Sequence, residues 1–241
     1  MRERLDAAQE LLKAGRHDEA TAEFVWLWEN MAGVDPSMQG VRVSFMANEI
    51  RALVDKHEVA RVRFADIRDR SASLADVDLT TAKLRFDWIV LNEILSEPER
   101  TLAWYDDVKN DERYAFVLDR CSFRLEKVFE ERGRFADIGR LYKDPVATLL
   151  KQHHARLPPP DITAEPGPDV PENIRPIMRQ MLQMLLDDLP KQVIEDAALM
   201  VKCLLAAGRT ADAEAVEREA LRIDNSEEMR AALEKARGRL D

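Results

Sequence analysis

The sequence predicts an all-α protein assembled from stacked helical hairpins. Three observations point there. Ala, Leu, Glu, Arg and Asp fill long stretches in which apolar residues recur every three or four positions, and 8 glycines in 241 residues barely interrupt them. A Gly-Arg dipeptide joins two such stretches at Gly15, at Gly133 and again at Gly208. The pentapeptide Arg63-Phe64-Ala65-Asp66-Ile67 returns letter for letter as Arg134-Phe135-Ala136-Asp137-Ile138, about two repeat lengths away for a unit of roughly 35 residues.

Taken in order, Leu5, Ala8, Leu11 and Leu12 form one stripe that ends at Gly15-Arg16, where a left-handed residue is wanted. Ala20, Phe24, Leu27 and Met31 carry the next helix, which Gly33 and Asp35-Pro36 stop. Helical periodicity then predicts 38–56, 77–95 and 99–108, with Pro98 at a first helical position, and a longer helix over 111–132. The turn at Gly133-Arg134 leads into Phe135, Ile138, Leu141 and Tyr142, which halt at Asp144-Pro145. Leu157-Pro158-Pro159-Pro160, Pro166-Gly167-Pro168 and Pro171 must be extended, because consecutive prolines lack N–H donors and restrict their neighbours. Helices resume as 174–189, 193–207, 211–223 and a closing helix over 227–240. The expected organisation is an N-terminal hairpin array over 1–157, a Pro-rich linker or strap over 158–171, and C-terminal hairpins with a cap helix over 172–241.

The 46% hydrophobic content suffices for a sizeable core. A formal charge of -10 disfavours an electrostatic grip on nucleic-acid phosphates or on an anionic membrane. No run of about eighteen apolar residues occurs, and Met1 to Asp6 enter an amphipathic helix without a signal-peptide core, so a cytoplasmic location is expected. Cys121 and Cys203 lie far apart inside helical patterns and read as two buried, reduced thiols.

Gly15 to Pro36 resembles the tetratricopeptide repeat: Ala20 and Phe24 match its Ala-x3-Phe pair, and Asp35-Pro36 its exit. The copy at Gly208 keeps Ala213, Ala220, Leu221 and Ile223 but has Glu217 where the aromatic belongs. The copy at Gly133 keeps Tyr142 and Asp144-Pro145 but has Ile138 at the small position, which implies wider helix packing there. The resemblance covers roughly a third of the chain and implies a right-handed α-solenoid of degenerate repeats that binds a protein or peptide on a helical groove. Leu5 and Gln9 stand where the family's basic clamp would want Lys and Asn, so a chaperone-tail clamp is not implied.

The candidate partner-binding strip is Phe116, Arg120, Phe123, Arg124 and Lys127, which joins aromatic anchors to cations at helical spacing and would suit an acidic ligand. The competing reading buries both phenylalanines against a neighbouring hairpin and pairs the cations with Glu130 and Glu131. His17 and His57 each stand alone beside a turn, and His153-His154 point about 100° apart on a helix, so no metal site is expected. The four arginines Arg61, Arg63, Arg68 and Arg70 read as a salt-bridged surface. The apolar segment from Ile174 to Leu189 suits either burial or a homodimer surface. No nucleophile–base constellation, Walker loop, H-E-x-x-H or dinucleotide fingerprint occurs. The expected function is therefore a protein-interaction scaffold without cofactor or metal; the alternatives are an inhibitor of the immunity-protein or antitoxin kind, or an all-helical enzyme lacking a recognisable motif.

Overall fold

Helical periodicity in the sequence becomes helix almost throughout the computed structural model, which describes residues 1–77, 82–156 and 171–238. Regular structure among these residues is entirely helical. The first compact unit, Met1–Val128, contains α1 (Arg2–Lys13), α2 (His17–Val34), α3 (Gln39–Val43), α4 (Phe45–Val54), α5 (Glu58–Val77), α6 (Lys83–Ile94), α7 (Pro98–Val108) and most of α8 (Ala115–Glu131). The second unit, Phe129–Asp241, contains α9 (Phe135–Leu141), α10 (Pro145–Arg156), α11 (Arg175–Ala206), α12 (Thr210–Ile223) and α13 (Glu227–Arg237). Most of the segment read as a linker, and the end of the closing helix, lie outside the described residues.

The three Gly-Arg turns are built alike. Gly15, Gly133 and Gly208 have φ of 73°, 67° and 73°, a left-handed conformation that glycine adopts without penalty. Each closes its helix with the same two bonds. The following arginine N–H donates to the carbonyls of Leu11, Phe129 and Leu204, and the glycine N–H to those of Leu12, Glu130 and Leu205. Each arginine is then the N-cap of the next helix, and its guanidinium reaches the acid three residues on: Arg16 to Glu19, Arg134 to Asp137, Arg209 to Asp212. A guanidinium thus bridges the first helical turn in all three places. The same backbone closure ends α6, where Ser96 takes φ 60° and Glu97 N–H donates to Asn92.

The repeated pentapeptide, by contrast, occupies two registers. Phe64 lies in the middle of α5, fully buried and edge-on to Trp28 at 6.5 Å, whereas Phe135 opens α9 and is half-buried. The first unit packs α1 on α2, α2 on α4 and α5, α5 on α6, and α6 on α7 around Phe24, Leu27, Met31, Ile50 and Leu53. Ala20 and Phe24, the pair that carried the resemblance, are both fully enclosed.

Three expectations differ. The helix expected over 77–95 begins instead at Lys83, Val77 being the last residue of α5. The helix expected over 38–56 breaks at Ser44, with φ -123° and ψ -86°, after a single 3-10 turn over Pro36–Met38 and the five-residue α3. Arg42 of α3 is drawn inward to a buried carboxylate, which fixes α3 at an angle that α4 cannot continue. The helices expected over 174–189 and 193–207 are instead one, α11, with Pro190 inside it. The missing proline N–H costs one turn's bond, while Val193, Ala197, Met200, Val201 and Leu204 hold the chain in helical register by burial.

In the second unit α9, α12 and α13 all pack on α11, and α10 packs on α11 and α12. The helices just before the prolines therefore pack with those after them. The small residue missing at Ile138 is supplied one position later. A Cβ at Gly139 would overlap the Cys203 carbonyl and press on Ala207 Cβ, so α9 and α11 cross at backbone contact rather than at the wide spacing that Ile138 implied. Arg209 Nη1 donates to Gly139 O at 2.7 Å and also to Tyr142 O, capping the end of α9.

These two kinds of glycine make separate predictions. Gly139→Ala must push two backbones apart and is expected to cost about 3 kcal/mol or more, read as a lowered midpoint in thermal unfolding followed by circular dichroism. Gly208→Ala meets open space and pays only for its left-handed φ, so about 1 kcal/mol is expected. Equal effects from the two would contradict this distinction.

Candidate functional site

Within the first unit a groove of about 570 Å³ opens between α2, α3, α6 and α8. Ala32, Pro36 and Gln39 line one side, Val43 the floor side of α3, Ala82, Lys83 and Phe86 the start of α6, and Phe116 with Arg120 the wall given by α8. Three phenylalanines stand out on this unit: Phe45 is 72% exposed, Phe116 50% and Phe123 75%. An aromatic ring left in water forgoes roughly 2 kcal/mol of burial.

The sides of the groove given by α2, α3 and α6 are held by a buried electrostatic frame. Asp87, 4% exposed, receives both Nη atoms of Arg42 at 2.7 and 3.0 Å and Lys83 Nζ at 3.1 Å. Arg42 Nε donates to Trp28 O at 2.8 Å, and the guanidinium lies 4.0 Å from the Trp28 ring centre. One arginine therefore ties α2, α3 and α6 together, with its charge matched and its donors directed. A second frame sits behind α8. Arg85 is enclosed between Trp88 and Trp104 at 4.8 and 4.7 Å and pairs with Asp76; burial pushes its guanidinium below the ordinary arginine value. Burial likewise pushes the Cys121 thiol up to about 12, despite the opposing fields of Arg85 and Arg120.

The five predicted strip residues divide into two groups. Phe116 and Phe123 are exposed, so the reading that buried them against another hairpin does not hold, and exposed Arg120 has no hydrogen-bond or ion-pair partner among the described residues. Arg124 turns inward, with its side chain 12% exposed; it donates to Val43 O and lies 3.4 Å from Glu93. Lys127 reaches the same carboxylate at 3.3 Å. The cations thus pair with Glu93 of α6 rather than with Glu130 or Glu131. For Arg124 the reason is angular: at 100° per residue it falls about 80° round α8 from Phe116 but only about 20° from the buried Val117, whereas Lys127, on the arc of Phe116, reaches Glu93 by the length of its side chain.

Other readings shift as well. His17 and His57 are not isolated: their rings lie 5.5 Å apart, and His57 Nε2 is 2.9 Å from Asp18 Oδ1. Arg68, read as surface, is 2% exposed and bonds Asp69 and Glu97, whereas Arg70 pairs with Glu29 on the outside. In α11, Ile177, Met181 and Met184 are exposed. Among the described residues no group of three His, Cys, Asp or Glu is arranged to hold a metal, and no helix is long and apolar enough to cross a membrane. Sequence reasoning missed the Arg42–Asp87 pair, whose partners are 45 residues apart with nothing local to announce them.

Comparison with known protein families, with curated proteins and with solved structures gives no match.

The buried frame predicts that Asp87→Ala, which strands Arg42 without its carboxylate, lowers stability by about 3–5 kcal/mol, measured by urea unfolding. Retention of full stability would show that the pair does not hold α3. At pH 8 the Cys121 thiol is neutral, so iodoacetamide is expected to modify it only after unfolding; rapid labelling of the native chain would contradict the enclosure.

Proposed function

We propose that the protein is an interaction scaffold: a degenerate tetratricopeptide-like, right-handed α-solenoid that holds a protein partner on the face of α8 and its adjoining groove. The observation that carries this is the exposure of Phe116 and Phe123 on either side of Arg120, which has no partner among the described residues, beside the groove that Phe86 and Phe116 line. Aromatic side chains and arginine are the groups that supply most of the energy at protein interfaces, because they bury large area at low entropic cost and form directed bonds.

The repeat reading draws support from the three identical Gly-Arg turns and from the enclosed Ala20–Phe24 pair. Short, stiff hairpins supply what such a mechanism needs. A surface fixed by buried ion pairs and packed helices loses little entropy when a partner settles on it, so the energy of its anchors appears as affinity.

The test is capture of a stoichiometric partner by tagged full-length chain, with and without Phe116→Ser and Phe123→Ser together. Both rings face solvent, so the helical circular dichroism spectrum should stay unchanged while affinity for the partner falls by about 30-fold or more. Undiminished capture by the double variant would remove α8 from the interface.

A further inference from the structure

We infer that the groove between α3, α6 and α8 receives an amphipathic helix of a partner protein whose apolar face is bordered by aspartate and glutamate. This rests on the partner-binding reading above and specifies what binds. Three features of the groove select that ligand.

The first is spacing. Phe116 on the groove wall and exposed Phe123 beyond the groove lie two turns apart along α8, roughly 10 Å, with Arg120 between them. That length matches the i, i+3 or i+4, i+7 anchors of a helix laid alongside.

The second is hydrogen bonding. An extended peptide brings a donor and an acceptor with every residue, and each must find a partner once water is excluded. The groove lining offers few polar groups: Lys83, Arg120 and Gln39, whose Oε1 is buried without a partner among the described residues. No strand edge exists among the described residues to supply a ladder. A helix satisfies its own backbone and asks the groove only for apolar contact and matched charge.

The third is charge. The carboxylates near the groove are turned inward and already matched: Asp87 with Arg42 and Lys83, Glu93 with Arg124 and Lys127. On α8, Asp119 and Glu126 fall about 100° or more round the helix from Arg120, and Glu130 and Glu131 stand about 15 Å further along its axis. No carboxylate lines the groove; its charged lining groups are Lys83, already bonded to Asp87, and Arg120, in a chain whose net charge is -10. A basic helix would meet these cations directly, whereas an acidic one gains a partner for Arg120.

The experiment uses fluorescence anisotropy with the full chain and three synthetic peptides of about 18 residues, long enough to form helix. All share one leucine stripe; one has glutamate flanks, one lysine flanks, and the third is the glutamate peptide with a central proline. The glutamate helix is expected to bind at least about tenfold more tightly than either of the others, to weaken with added salt, and to lose that advantage with Arg120→Glu but keep most of it with Arg120→Lys. Equal binding of the lysine or proline peptide, no response to Arg120→Glu, or no binding by any of the three would overturn the inference. So would sedimentation showing a dimer abolished by Phe123→Ser, which would assign the groove to a second copy. If a cellular partner is captured through Phe116 and Phe123 but ignores Arg120→Glu, the scaffold reading survives and this one fails.

Discussion

The surface of the first unit depends on one buried ion pair. Arg42 and Asp87 meet through two bonds in a site almost closed to water, and burying two charges is tolerated only when geometry and further bonds offset their lost hydration. Here Trp28 O accepts the remaining Nε–H, and Lys83 adds a second cation at the carboxylate. The pair joins α3, which ends after five residues, to α6, and the space between them and α8 is the groove. A merely hydrophobic contact would not specify so narrow a geometry, because apolar packing has no preferred direction.

The second unit uses a different constraint to the same end. Gly139 lets the backbone of α9 touch that of α11, and Arg209, the N-cap of α12, reaches back to the carbonyls at the end of α9. Close approach and a capping guanidinium therefore act together, and the same Gly-Arg turn that reverses the chain also supplies the cap. This is economical chemistry. The glycine gives the left-handed residue, and the arginine gives a donor long enough to serve either its own helix or a neighbour.

The cations of α8 are divided by what they reach: Arg124, turned inward, and Lys127, from the outer arc, both meet Glu93. Those two cations tie α8 to α6, while Arg120, between the exposed rings along the helix, has no such partner among the described residues. Proximity in sequence conceals this division, since Arg120 and Arg124 differ by one turn but point about 40° apart. The exposed phenylalanines follow the same logic. They occupy the one arc of α8 that the apolar stripe of Val117, Cys121, Leu125 and Val128 leaves outside.

What the sequence determined by itself is local. Hairpin turns at Gly15, Gly133 and Gly208, the proline opening α7, and the helical class follow from neighbours within five residues, where backbone geometry and hydrogen bonding are decided. The tertiary structure alone decided the break at Ser44, the continuity of α11 through Pro190, the shift of the tight crossing to Gly139, and the inward turn of Arg124. Each depends on a group far along the chain, such as Asp87 for Arg42 or Cys203 for Gly139. Periodicity along one helix tells which residues share a face, but which distant charge or backbone that face will meet is fixed only when the helices pack.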